Sequence, residues 1–250
     1  MKYSYLFLFC LNTFQFIKLS SQNPNLRSVT HKIPPYIDYW TYSEKALPLS
    51  ILSTTRDSST VIMFYNFIRE KNDQLTTTEV RDAGNGLVYS FNYYYNTANQ
   101  VERMDKLSDV DFDGAADDLD YAFSFSYDSL GRIERMMIKK EMRVVRDFYF
   151  TWANGNIVEV KNMDGELNYT MLLSFDTLPN ALLPIQWEYL TTTGTLEFYA
   201  TIFSKNNLIK ATLFPSAMDS AELEIHPQYD VNGCYLSNGM EGVEYGYMGR

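Results

Sequence analysis

Apolar and polar positions alternate with period two over most of the stretch 87–175. Tyr121, Phe123, Phe125 and Tyr127 fall on one side of an extended backbone, with Ala122, Ser124 and Ser126 on the other. Tyr89, Phe91, Tyr93 and Tyr95 repeat the pattern, as do Phe148, Phe150 and Trp152, and Tyr169, Met171, Leu173 and Phe175. A helix would scatter these aromatics around its axis, so the pattern predicts antiparallel β-strands. Strands are predicted over residues 61–69, 75–82, 101–107, 119–127, 132–139, 141–151, 157–160 and 167–175. Later ones are predicted over 186–190, 196–203, 208–213 and 221–225, with no long helix. Lys71-Asn72-Asp73, Asn85-Gly86, Asp164-Gly165 and Thr193-Gly194 supply turns between them. The expected fold is all-β: a long antiparallel meander of hairpins, curved or rolled into an open, barrel-like sheet.

The turns repeat. An aromatic followed by Asp or Asn, then by Gly, Asn or Pro, recurs from Tyr95, Tyr127, Phe175 and Tyr229, with weaker copies from Trp152 and Phe203. From Tyr127 onward these anchors are 25, 23, 28 and 26 residues apart, whereas Tyr95 and Tyr127 are separated by 32. A period in the twenties marks a repeated supersecondary unit, here one hairpin per copy. Asp or Asn bonds its own backbone two residues on, and the residue after it supplies the dihedral that reverses the chain.

Tyr127-Asp128-Ser129-Leu130-Gly131-Arg132-Ile133 resembles the tyrosine–aspartate turn of the Rhs/YD-repeat family, and Tyr229-Asp230-Val231-Asn232-Gly233 is similar to its first half. Elsewhere Asn96 replaces the Asp, Trp152 and Phe175 replace the Tyr, and Pro179 stands where Gly131 does. The resemblance covers residues 87–236. It implies a long, curved antiparallel sheet in a secreted bacterial protein, and degenerate turns of this kind also resemble those of open, porin-like barrels. Full-length Rhs proteins form shells around a toxin with a self-cleaving core segment. This sequence has neither part, so the resemblance does not imply toxin delivery.

Lys2, the apolar run 5–17, Lys18 and Ser20-Ser21 read as a secretory signal peptide over residues 1–21, the run being shorter than the roughly 20 residues of a membrane span. Cys10 is preceded by the bulky Phe9, which argues against lipid attachment. Residues 22–48, with Pro34-Pro35, form an extended N-terminal segment that lays Tyr36, Tyr39, Trp40 and Tyr42 across the sheet. Residues 49–250 are expected to be one β-hairpin repeat domain. The tail from 238 fits a final strand or a frayed end.

Removing Lys2 and Lys18 takes the formal charge from −10 to −12, 19 basic against 31 acidic residues. Such a surface repels nucleic acid and suits divalent cations or basic partners. Only Cys234 remains after cleavage, so the mature chain forms no internal disulfide. An ion then becomes a natural staple.

The segment 109–120 supplies a candidate. Asp109, Asp111 and Asp113 occupy positions 1, 3 and 5 of a twelve-residue loop, Gly114 position 6, Asp117 position 9 and Asp120 position 12. A calcium ion takes six to eight oxygens, and the position-7 carbonyl of Ala115 adds a neutral one. Without a cation these carboxylates repel by about 1 kcal/mol per close pair even in water. Because the flanks have strand patterns, the loop resembles the Asp-rich hairpin loops of integrin-type and FG-GAP-like repeats more than an EF-hand. The expected ligands are Asp109, Asp111, Asp113, Ala115, Asp117 and Asp120.

No nucleophile elbow, phosphate loop, dinucleotide fingerprint or Cys/His cluster accompanies the two histidines, His31 and His226. The leading expectation is an exported, non-enzymatic β-repeat protein, stapled by calcium, acting as a binding or structural module in the periplasm, at the outer-membrane surface or outside the cell. Its partner would be an envelope protein or glycan, with no transmembrane helix once the leader is gone. Two alternatives stand beside it. One is a glycan-acting enzyme with carboxylates on an aromatic concave face. The other is an outer-membrane barrel, against which Ser, Asn, Thr and Lys interrupt both faces.

Overall fold

A computed structural model describes residues 26–32, 35–43, 45, 47–55, 60–109, 116–164, 168–180, 183, 186–192, 202–215, 221–224, 228–229, 235–237 and 243–247. The first strands are β1 (Leu26–Lys32), β2 (Pro35–Tyr42), β3 (Pro48–Thr55), β4 (Val61–Arg69), β5 (Leu75–Asp82) and β6 (Leu87–Tyr95). Next come β7 (Val101–Ser108), β8 (Asp118–Tyr127), β9 (Ile133–Lys140), β10 (Arg143–Ala153), β11 (Asn156–Asn162) and β12 (Tyr169–Pro179). A short helix, α1 (Gln186–Thr192), precedes β13 (Asn206–Pro215), β14 (Ala221–Glu224), β15 (Gln228–Tyr229), β16 (Tyr235–Ser237) and β17 (Val243–Tyr247). The fold is the expected all-β antiparallel meander. Its contacts group into two compact units: one of residues 65–173 and 211–223, the other of 1–64, 174–210 and 224–250.

In the first unit β5 to β12 pair in chain order, each antiparallel to the next. The aromatic face predicted from period two is the buried one. Tyr93, Met104, Phe123 and Ile138 stand opposite one another across β6 to β9, and Phe125, Met136 and Phe148 across β8 to β10. All seven side chains are buried. Each such residue contributes about 1.5–3 kcal/mol on leaving water. The opposite face carries ion pairs: Arg103–Asp105, Arg135–Asp147 and Lys161–Glu159.

The repeated turn has one geometry. At Glu70, Asp82, Asn96 and Asp128 the backbone N–H donates to the carbonyl four residues on, at 2.8 to 3.0 Å. The residue three positions on donates back, and it takes a left-handed φ: 66° at Asp73, 67° at Asn85, 62° at Asn99 and 76° at Gly131. That conformation is why Asn, Asp or Gly stands there. The side chain of Asn96 or Asp128 then caps the turn, its Oδ1 accepting two backbone N–H bonds at 2.9 to 3.0 Å. The turns at Glu70 and Asp82 belong to the same series, although neither follows an aromatic.

The anchor aromatics tie one turn to the next. Tyr95 Oη donates to the carbonyl of Leu75, Tyr127 Oη to Val101 and Trp152 Nε1 to Ile133, at 2.7, 2.6 and 2.7 Å. In each case the acceptor is the first residue of the second strand of the previous hairpin, just after the turn on the same side of the sheet. A bulge at Tyr94/Tyr95, Ser126/Tyr127 and Thr151/Trp152 sets the ring at that register. Gln74 and Gln100 add lateral bonds to the next turn, at Asn99 Oδ1 (2.8 Å) and the Gly131 carbonyl (3.1 Å).

In the second unit β17, β1, β2 and β3 pair antiparallel in that order. Within the segment 22–48, expected to be extended, residues 26–32 and 35–42 are strands with laddered neighbours, and β17 gives the tail the strand reading. Trp40 faces Ile51 across β2 and β3, both buried, and the Trp40 and Tyr42 rings stack at 6.4 Å. Burial first, and then the Glu188 charge, pushes the Tyr42 hydroxyl well above its ordinary pKa.

Three sequence expectations are corrected here. Residues 186–190, predicted as a strand, form the start of α1, and Ile202 and Phe203 of the predicted strand 196–203 are helical. Helical spacing puts Trp187, Leu190 and Thr191 on one face, where Trp187 meets the Phe203 ring edge-on at 5.3 Å. That packing outweighs a strand pattern too short to fix the period. The Phe175 copy of the turn does not reverse the chain, because β12 runs on to Pro179. Asp176 Oδ1 keeps the bond from Leu178 N–H (3.0 Å) but also accepts Asn207 N–H from β13 at 3.1 Å, which holds the chain extended.

Candidate functional site at the acidic hairpin

The acidic loop joins β7 to β8. Ser108 and Asp118 are the last cross-strand pair, so Asp109 and Asp117 flank the mouth of the loop as its first and last residues. Asp111, Asp113 and Ala115 lie outside the described residues. Asp117 is exposed, and Ala116 beside it is buried.

Asp120 lies within β8. The register slips between Lys106, opposite Tyr121, and Leu107, opposite Leu119, which leaves Asp120 as the bulged residue. Its Oδ2 accepts from Lys106 Nζ at 3.0 Å and its Oδ1 lies 3.7 Å from Lys140 Nζ. Lys106 Nζ stands 4.9 Å over the Tyr89 ring and 5.5 Å from that of Tyr121, and Lys140 Nζ is 5.1 Å over Tyr121. Tyr121 and then Asp120 hold the Lys140 ammonium above its ordinary pKa. Burial pushes the Tyr89 hydroxyl up, partly offset by a hydrogen bond with Tyr65.

Of the expected ligands, the structure therefore places Asp109 and Asp117 at the two ends of the loop, next to the Ser108–Asp118 pair. Asp120 sits behind them in a cage of two ammonium groups and two phenol rings. The sequence reading missed that cage, yet a signal for it existed. Lys106 shares parity with Met104, and Lys140 with Met136 and Ile138, so both lysines emerge from the aromatic face. Chemically, the arrangement neutralises the Asp120 carboxylate within the strand. Of the two histidines, His31 stands in β1 opposite Tyr36 and Val243, and His226 lies outside the described residues.

Neither a protein-family model nor a curated protein matches the chain by sequence. Among solved structures it is similar to a porin-like protein from Bacteroides uniformis, at TM-score 0.53 and 9% identity over 93% of each chain. That likeness is one of fold, an all-β antiparallel meander of the open, barrel-like class. TcdB2–TccC3 and its complex with Cdc42 align over 81% of this chain and 12% of theirs. Their identities are 12% and 11% and their TM-scores 0.34 and 0.35, too loose to carry a fold assignment. Among the described residues no helix is long and apolar enough to cross a membrane.

Proposed function

We propose that this protein is an exported, non-enzymatic binding or structural module of the bacterial envelope, whose longest acidic hairpin is stapled by calcium. The observation that carries the staple is the register at the loop mouth. Ser108 opposite Asp118 brings the ends of an aspartate-rich loop together, and a hard cation relieves the resulting repulsion. The ligands would be Asp109, Asp111, Asp113, the Ala115 carbonyl and Asp117. Asp120 joins them only by giving up Lys106. Export rests on the leader-like residues 1–21 and on the fold shared with a porin-like protein.

Thermal melting with calcium and with chelator tests the staple. Calcium should raise the midpoint of the wild type and leave Asp111→Ala unchanged; equal, calcium-blind melts of both proteins would end the proposal. Export is checked by fractionating cells that express the full chain. Mature protein should leave the cytoplasm with a new N-terminus near residue 22, and retention with Met1 intact would overturn it.

A further inference from the structure

The polar face of the unit built on residues 65–173 carries two related clusters, each of an arginine, an aspartate and a tyrosine. On β6 and β7, Tyr94 and Arg103 are cross-strand partners, with the guanidinium 5.3 Å from the ring centre. Arg103 Nε and Nη2 donate to the two oxygens of Asp105 at 2.8 and 2.6 Å. On β9 and β10, Arg135 and Tyr149 are partners in the same way, at 5.1 Å, and Arg135 Nε and Nη2 donate to Asp147 at 2.7 and 2.9 Å. Tyr149 Oη adds a longer bond to Asp147.

Between the two clusters runs β8, which presents Ser124 opposite Arg103 and Ser126 opposite Arg135. The arginines are two strands apart, about 10 Å across the sheet, over a floor of hydroxyls. Cross-strand pairs of this kind stabilise any solvent-facing sheet. Stabilisation alone does not call for both rings to stay open, yet Tyr94 is 44% and Tyr149 41% exposed. Nor does it call for the strand between them to be cut down to serine.

We propose that this trough binds a neutral, linear glycan laid across β6 to β10. Each guanidinium is fixed by its own carboxylate along one edge, which leaves its Nη1 hydrogens for sugar hydroxyls. Each phenol ring is held in place by the guanidinium and offers apolar surface to the C–H face of a pyranose. Each of these two arginines is neutralised by an aspartate, so the clusters present oriented dipoles in place of free cations. On a chain of formal charge −10 a polyanion would be repelled, and an apolar surface would strip water from two ion pairs without replacing it. An uncharged polyol meets neither penalty. The inference rests on the binding-module reading above and names its ligand class; it is independent of the calcium loop and of the leader.

Purified protein, with calcium chelated, is to be applied to an immobilised array of neutral hexose and N-acetylhexosamine oligosaccharides and of uronate oligosaccharides. The wild type should be retained on neutral glycans. Tyr94→Ala with Tyr149→Ala should weaken retention at least about ten-fold, the worth of two lost ring contacts. Tyr149→Phe should hold within about two-fold, because the ring remains. Ser126→Glu, at an exposed position that leaves both rings and arginines in place, should abolish binding by filling the floor. Melting midpoints establish that each variant is folded. Retention on uronates alone, retention unaffected by Ser126→Glu, or no retention on any glycan would overturn the proposal. None of these outcomes bears on the calcium melt or the fractionation, so the readings fail separately.

Discussion

Tyr95, Tyr127 and Trp152 end their strands with different rings but perform one task, the donation of a hydrogen bond to the carbonyl that opens the previous repeat's second strand. Alternation in the sequence shows which face each ring occupies. It cannot show that the hydroxyl or indole N–H reaches back 20, 26 or 19 residues, because that depends on a bulge. Substituting Tyr127→Phe keeps the ring and deletes only this bond. It should cost about 1 kcal/mol, read from the urea midpoint at unchanged slope. An equal midpoint for the variant would show that the ring acts through packing alone. Legibility at this scale is uneven for a physical reason. The capping role of Asp128 is local chemistry and was readable, whereas the partners of Asp120 lie on strands 14 and 20 residues away.

At the scale of elements, strands β4 and β5 match the predicted spans to the residue, because polar turn residues bound long alternating runs. The acidic hairpin was readable for the same reason. Helix α1 was not, since seven residues satisfy either period and only packing against Phe203 decides. The β9–β10 hairpin shows a local cost that the strands override. Its two-residue turn places Glu141 at φ 49° and Met142 at φ 65°, where side chains other than Asn, Asp and Gly are strained by about 1–2 kcal/mol each. Both residues are exposed. The double substitution Glu141→Asn with Met142→Gly should therefore stabilise the protein by about 1 kcal/mol or more. A denaturation midpoint that falls instead would mean that Met142 makes contacts outweighing the strain.

For the whole molecule the pH profile of stability follows from groups distributed through both units. On the acid side Asp128 is held below the usual carboxylate value, 3.8, chiefly by the backbone N–H of Arg132 and then by its guanidinium. Glu159 lies below 4.5, chiefly through Thr151 Oγ1. For depressed carboxyls the unfolded chain takes up protons first. Their contribution is complete above the unfolded values and disappears as pH falls through the folded ones. Both ion pairs are partly open to solvent, so the loss is modest and screened by salt. On the alkaline side burial raises the Tyr127 hydroxyl, with Tyr95 adding to it, and burial raises that of Tyr42. There the unfolded chain releases protons first, so stability is whole below the ordinary tyrosine value of 10.0 and declines as pH climbs beyond it. Stability should be level from about pH 5 to pH 9.5 and fall on both sides. Added salt should soften the acid limb, which depends on exposed charge, and leave the alkaline limb in place, because desolvation of a phenolate is not screened. Tyr127→Phe supplies the internal control. It should flatten the alkaline limb while leaving the acid limb as it was, and an alkaline limb identical to that of the wild type would assign the loss to other groups.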